Sequence, residues 1–274
     1  MKHYKTVLTI AGSDSCGGAG IQADLKTFSA LNCYGMSVVT ALTAQNTQGV
    51  QAFNKVSAKF VRKQIESIFN DIKVDAIKTG LLLTADIINV VAAAVGNYRK
   101  KALIVDPVMV AKNKRVLLNK SAQKAMLDKL FPLATLVTPN IDEAEYLLGM
   151  TISDLDSMQE AAIKISDLGS RTVLIKGGHL IKMKKSVDCL YIKKENKFYW
   201  FASPRVNTNN THGAGCTLSA AITAYMASGC DLVTAITNAK KYVTGAILAG
   251  KQYRLGHGPG PTCHFYRQDC FQLL

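Results

Sequence analysis

Asn207-Thr208-Asn209-Asn210-Thr211-His212-Gly213-Ala214-Gly215-Cys216-Thr217-Leu218-Ser219-Ala220 is the stretch from which the rest of this 274-residue chain is best read. The turn at Gly213, Ala214 and Gly215 runs directly into Cys216, Thr217 and a helical run of small residues. Unpaired backbone N–H groups and the positive end of a helix dipole therefore converge at one point. Small residues let an oxyanion approach that backbone closely, so the junction reads as an anion site. A thiol in the first turn of a helix is expected to have its thiolate form favoured. Both properties suit phosphoryl transfer, in which a protein mainly positions groups and spreads developing charge. The same residues also fit an ordinary helix N-terminus, with Thr211 or Thr217 near the cap and Cys216 as a structural thiol.

Outward from this stretch, one arrangement recurs: an apolar strand, a polar or glycine-bearing turn at its carboxyl end, then a helix. Residues 6–11 read as a buried strand, and the turn 12–20 leads into a helix with Ile21, Leu25, Phe28 and Leu31 on one face. Further strands are expected at 34–42, 74–78, 102–105, 134–138 and 171–175, with a strand pair near 189–192 and 198–201. Helices are expected at 58–70, 85–97, 121–130, 215–228 and 231–250, and 43–50 reads as a polar loop. The alternation predicts an α/β fold with a doubly wound, mostly parallel central sheet and helices on both faces, as a single domain over 1–274. In open parallel sheets, ligands bind outside the carboxyl ends of the strands. Asp106, held there by a following proline, is thus well placed to face a cleft, as is the Lys78-Thr79-Gly80 turn. The first glycine turn lacks the Gly-x-Gly-x-x-Gly spacing of a dinucleotide site.

Composition narrows the function classes. A 48% hydrophobic chain of this length can bury a large core. No apolar run reaches the roughly 20 residues needed to span a bilayer, and residues 1–5 lead straight into a strand, so a cytoplasmic protein without membrane contact is expected. Seven cysteines, an odd number without a Cys-x-x-Cys pair, argue against a disulfide framework or a zinc knuckle. The net charge is +14, from 33 Lys and Arg against 19 Asp and Glu, but the basic residues are dispersed without aromatic interleaving. Such dispersal fits a solvated surface that attracts anionic substrates better than a nucleic-acid partner.

Several strings carry a resemblance. Asn210-Thr211-His212-Gly213-Ala214-Gly215-Cys216-Thr217 resembles the phosphate-cradling segment of the ribokinase-like vitamin kinases. The strings from Gly12 to Thr27, Ala44-Gln45-Asn46-Thr47, Thr138-Pro139-Asn140-x-x-Glu143 and Gly256 to Phe265 are similar to segments of the same superfamily. Together they resemble the hydroxymethylpyrimidine/phosphomethylpyrimidine kinases of thiamine synthesis over essentially the whole chain. Most sugar kinases of the superfamily have an aspartate base after Gly-Ala-Gly, where this chain has Cys216.

The resemblance implies ATP and Mg2+ as cofactors, a small pyrimidine as substrate and a homodimer. It implies Gly213, Ala214, Gly215 and Cys216 as the catalytic turn, and Asp24, Gln45, Gly12, Ala19, Leu81 and Val108 along the substrate pocket. Read from its position alone, Asp24 also fits a solvated or dipole-pairing acid in a first helical turn. A carboxamide at Gln45 presents both donor and acceptor to an aminopyrimidine edge. By the same resemblance, Asn140, Lys176, Thr211 and Lys112 serve ATP, and Asp106 and Glu143 serve the metal. Asn140 and Glu143 also read as a capping box. Two departures stand out: Leu81 where the family usually has methionine, and Lys112-Asn113-Lys114-Arg115 in place of a glycine-bearing flap. The alternative substrates are pyridoxine and pyridoxal, and the alternative classes are a nucleic-acid binder or a thiol redox protein.

Overall fold

The computed structural model describes residues 2–97, 101–110, 116–180 and 184–268, with only the backbone described at His179. Lys112 and the expected flap at 112–115 lie outside the described residues. In chain order the strands are β1 (Thr6–Asp14), β2 (Tyr34–Asn46), β3 (Gly49–Lys55), β4 (Ala76–Thr79), β5 (Ala102–Val105), β6 (Leu136–Val137), β7 (Thr172–Ile175), β8 (Lys185–Ile192) and β9 (Lys197–Pro204). The helices are α1 (Gly20–Ala30), α2 (Ala58–Phe69), α3 (Ala85–Gly96), α4 (Lys120–Ala125), α5 (Ile141–Leu148), α6 (Leu155–Asp167), α7 (Ala214–Ala227) and α8 (Leu232–Gly250).

All nine strands form one sheet in the order β3-β2-β1-β4-β5-β6-β7-β8-β9. The run from β2 to β7 is parallel, whereas β3, β8 and β9 join the edges antiparallel. The expected mostly parallel α/β sheet is therefore observed.

Because side chains alternate across a strand, each apolar run is sorted between two faces. Leu8, Ile10, Ile77, Leu103, Val105, Val173 and Ile175 pack toward α2, α3, α5 and α6. Val7, Ala76, Ile104 and Leu174 pack the other way, toward α1, α7 and α8. Lys78 shares the register of Ala76, two residues earlier in β4, and Lys176 that of Leu174, two residues before it at the end of β7. The same periodicity that buries the core thus aims both lysines at α7. This helix is buried on almost every side by Leu218, Ala220, Ala221, Ile222 and Ala224, which is why its sequence is rich in small residues.

Two expectations are corrected. The polar segment 43–50 is no loop: β2 continues to Asn46, turns at Thr47 and Gln48, and returns as β3. Its residues project beyond the core and carry no apolar alternation, so periodicity could not reveal the hairpin. The helix expected at 121–130 ends at Ala125, widens into a five-residue π turn and closes before Ala134, with Pro132 in the final turn.

Candidate active site

The carboxyl ends of β1, β4, β5 and β7 meet the N-terminus of α7, and the titratable residues collect there. Lys78 Nζ lies 2.5 Å from Asp24 Oδ1, with no exposed surface on either side chain. Thr9 donates to the other carboxylate oxygen at 2.6 Å. Burial opposes the Lys78 charge, but Asp24, Cys216 and Asp106 outweigh it and raise the ammonium above its ordinary value. Asp24 is therefore neither a solvated acid nor a wall of an open pocket. Its carboxylate lies beneath the site, where it anchors Lys78.

A second lysine completes the cluster. Lys176 Nζ is 2.7 Å from Asp106 Oδ1 and 4.0 Å from Glu143 Oε2. Ser219, one turn into α7, donates to Asp106 Oδ2 at 3.0 Å. Burial works against the Lys176 charge, yet the two carboxylates lift the ammonium to about 12. For Glu143, burial wins over Lys176 and pushes the carboxyl up to about 7. Asn140 and Glu143 do form the reciprocal capping box at the start of α5, both bonds at 2.8 Å. A Cβ on Gly215 would stand 3.5 Å from Lys176 Nζ, so this ammonium lies directly beneath the Gly-Ala-Gly turn.

Gly213 opens α7 with φ +78°, and a Cβ there would fall 1.6 Å from the carbonyl oxygen of Gly18. Only glycine permits that left-handed turn so close to the β1–α1 loop. Cys216 is half-buried in the first turn of α7, with Gly20 N–H directed at its sulfur. The expectation of a favoured thiolate is corrected: burial, with Asp106 and Asp24, outweighs Lys78 and the Gly20 N–H and pushes the thiol up to about 11. A helix N-terminus lowers a thiol only where solvent or cations offset the loss of hydration.

Toward β2 the geometry changes character. Leu81 Cδ2 would lie 3.5 Å from a Cβ on Gly12, so these two expected pocket residues adjoin. Ala19 N donates to Asp14 Oδ2 at 2.9 Å, and Val108 is half-buried just beyond Asp106. Gln45 is half-buried near the end of β2, its backbone docked on Ser15 through bonds of 2.8 and 2.9 Å. Thr211 lies in the approach to α7 and accepts from Ala214 N.

Residues missed from the sequence complete the site. His212 Nε2 meets Asp14 Oδ2 at 2.8 Å. Burial opposes the Asp14 charge, but His212 and the backbone donors Cys16 and Ala19 hold its carboxyl below the ordinary range. Asn210 ties the approach to α7 to the chain's last segment, donating to Gly250 and Tyr253 carbonyls and accepting from Gly260 N. Sequence alone gives Ser219 no role and places Lys78 only in a turn facing the cleft, without its carboxylate partner. A lysine inside an apolar strand was a usable signal; the pairing of Asp14 with a residue 198 positions away was not.

Comparisons with known proteins point to one family. The family profile described as phosphomethylpyrimidine kinase matches residues 14–263. A Rhizobium meliloti protein named hydroxymethylpyrimidine/phosphomethylpyrimidine kinase is 46% identical over 95% of this chain and 97% of its own length. A thiamine biosynthesis bifunctional protein of Geobacter sulfurreducens is 52% identical over 93% of this chain, which spans 51% of that longer protein. Among solved structures, the ADP complex of Bacillus subtilis pyridoxal kinase superposes with TM-score 0.88 at 42% identity, covering 99% of this chain and all of that one. A Clostridium difficile phosphomethylpyrimidine kinase gives TM-score 0.77 at 45% identity over 88% of this chain and 99% of that one. The chain belongs to the phosphomethylpyrimidine kinase family.

Proposed function

We propose that the chain is an ATP-dependent kinase that phosphorylates 4-amino-5-hydroxymethyl-2-methylpyrimidine and then its monophosphate. The observation that carries this reading is Lys176 Nζ beneath the Gly213–Cys216 turn, held there by Asp106 and Glu143. An ammonium and a helix N-terminus on one spot suit a transferring phosphoryl group. Asn140, Thr211 and Lys112 complete the proposed nucleotide contacts, with Gly12, Ala19, Leu81 and Val108 around the pyrimidine and Gln45 on its edge. The homodimer, the cytoplasmic setting and the lack of a nucleic-acid partner belong to the same proposal. No helix among the described residues is long and apolar enough to cross a membrane.

The donor set fits Mg2+. Asp106 and Glu143 offer hard oxygens, and the buried cluster of Asp24, Asp106 and Glu143 against Lys78 and Lys176 has more carboxylates than ammonium groups. A group of three or more metal-ligating side chains is absent among the described residues. Magnesium in phosphoryl transfer needs only one or two carboxylates beside the phosphates. The bound ion would neutralise phosphate charge. Lys176 would orient the transferred group, and the turn amides would stabilise its oxygens.

Cys216 would stand beside the attacking hydroxyl. With its thiol at about 11, we assign it to the anion hole rather than to proton removal. Cys216→Ala is then expected to lower kcat by about 10²-fold, and Cys216→Asp not to restore it. A loss near complete in alanine with recovery in aspartate would reverse the assignment.

A second reading, pyridoxine or pyridoxal phosphorylation, is favoured by the likeness to the Bacillus subtilis pyridoxal kinase. ADP release with Mg–ATP on hydroxymethylpyrimidine, its monophosphate, pyridoxine and pyridoxal separates the two. Turnover of both pyrimidines supports the first reading; turnover of the pyridine vitamers alone replaces it with the second.

A further inference from the structure

The contacts around Gln45 determine which way its carboxamide points. Its Nε2 position lies 3.4 Å from His212 Nε2, and its Oε1 position 3.4 Å from Thr43 Oγ1. The amide can occupy this place in either of two orientations, and only the surrounding donors and acceptors choose between them. Asp14 accepts from Cys16 N at 2.8 Å, Gly18 N at 3.2 Å and Ala19 N at 2.9 Å besides His212. Such a set of donors calls for a carboxylate, so the proton between Asp14 and His212 sits on His212 Nε2. His212 therefore has no lone pair there to offer an amide NH2, and its one proton, given to Asp14 at 2.8 Å, is shared with an acceptor 3.4 Å away as the longer arm of a three-centre bond. At the other end, Thr43 Oγ1 spends its one proton on the Ser13 carbonyl at 2.9 Å and can only accept from Gln45. Both ends call for the same half-turn, with the amide oxygen toward His212 and the NH2 toward Thr43.

We propose that the Asp14–His212 pair is a specificity-determining positioning device that fixes the direction of the Gln45 amide. In that orientation the oxygen keeps one lone pair and the NH2 one hydrogen, an acceptor and a donor in fixed order. An aminopyrimidine edge, with an exocyclic amine beside a ring nitrogen, presents the complement. A hydroxypyridine ring has no such adjacent pair, so the device discriminates between these ring classes. The inference rests on the reading of Gln45 as the ring contact.

The test is steady-state kinetics of Gln45→Ala, His212→Asn, His212→Gln and the double variant His212→Asn/Gln45→Ala, with hydroxymethylpyrimidine, pyridoxine and ATP varied in turn. His212→Asn removes the donor at the Nε2 position and is expected to raise the pyrimidine KM by about tenfold while the ATP KM stays within about twofold. Its preference for the pyrimidine over pyridoxine falls in step. His212→Gln, which keeps an N–H near that position, restores most of the affinity. In the Gln45→Ala background, His212→Asn adds no more than about twofold. Effects that multiply in the double variant, or a raised KM in Gln45→Ala beside an unchanged one in His212→Asn, overturn the inference alone. A Gln45→Ala variant with unchanged pyrimidine KM, or wild-type protein that does not turn over the pyrimidine, overturns the underlying reading and the inference with it. Should His212→Asn not fold, Asp14→Asn asks the same question, because a neutral amide no longer obliges His212 to donate; the same pattern is expected, and an unchanged pyrimidine KM overturns the inference.

Discussion

Two lysines leave the carboxyl ends of parallel strands, β4 and β7, toward the same helix and end in different surroundings. Lys78, at the end of β4, meets one carboxylate at 2.5 Å in a pair with no solvent exposure. Lys176, after β7, meets Asp106 at 2.7 Å and Glu143 at 4.0 Å with 10% of its side chain still exposed, under the turn that opens α7. The chemistry of the two is alike, and depth separates them. A sealed ion pair has no group left for a ligand, so Lys78 and Asp24 form the floor of the site. An ammonium at the rim with two carboxylates behind it can turn toward an incoming phosphate while the carboxylates keep it charged.

The largest expected effect attacks the sealed pair. Lys78→Met strands the Asp24 carboxylate in the interior and is expected to cost about 3–5 kcal/mol in denaturant unfolding. Lys78→Met with Asp24→Leu should recover most of that loss, because no buried charge remains. A single variant as stable as the parent would mean that the pair is not sealed.

Next comes the rim. Lys176→Met should lower kcat by about 10²–10³-fold with a much smaller loss of stability than Lys78→Met. Equal losses of stability at the two lysines would erase the distinction between them.

A smaller effect is read through pH. Glu143 sits at about 7 in the folded chain against an ordinary value of 4.5, so between these values the folded chain binds more protons than the unfolded one. Its contribution to stability is thus complete below 4.5 and is lost as pH rises through 7. Glu143→Gln should remove that decline, leaving the variant about 2 kcal/mol more stable than the parent at pH 8 relative to pH 5. Parallel stability–pH curves for variant and parent would place Glu143 at its ordinary value and move it out of the buried cluster.

The smallest effect belongs to the pocket wall. Leu81→Met restores the residue usual in the family at nearly constant volume, and unfolding should change by less than about 1.5 kcal/mol. A larger loss would show that Gly12 and Leu81 pack more tightly than a pocket wall requires.

Much of this architecture follows from the sequence alone, because it rests on local physics. Period-two apolar runs specify strands, glycines and prolines punctuate them, and Asn140 with Glu143 is a capping box legible over four residues. The Gly213 turn before α7 was equally legible, since a left-handed glycine and the helix behind it are neighbours in the chain. The β2–β3 hairpin was not, because its residues project beyond the core and carry no apolar pattern. The electrostatics were not either. Asp24 and Lys78 are 54 residues apart, Asp106 and Lys176 are 70, and His212 and Asp14 are 198. Each pair acquires its meaning only when the parallel strands bring their carboxyl ends together. Burial then decides which acid is sealed, which lysine reaches the rim and whether a thiol at a helix start keeps its proton; these are properties of dielectric and distance, which spacing along a chain does not contain.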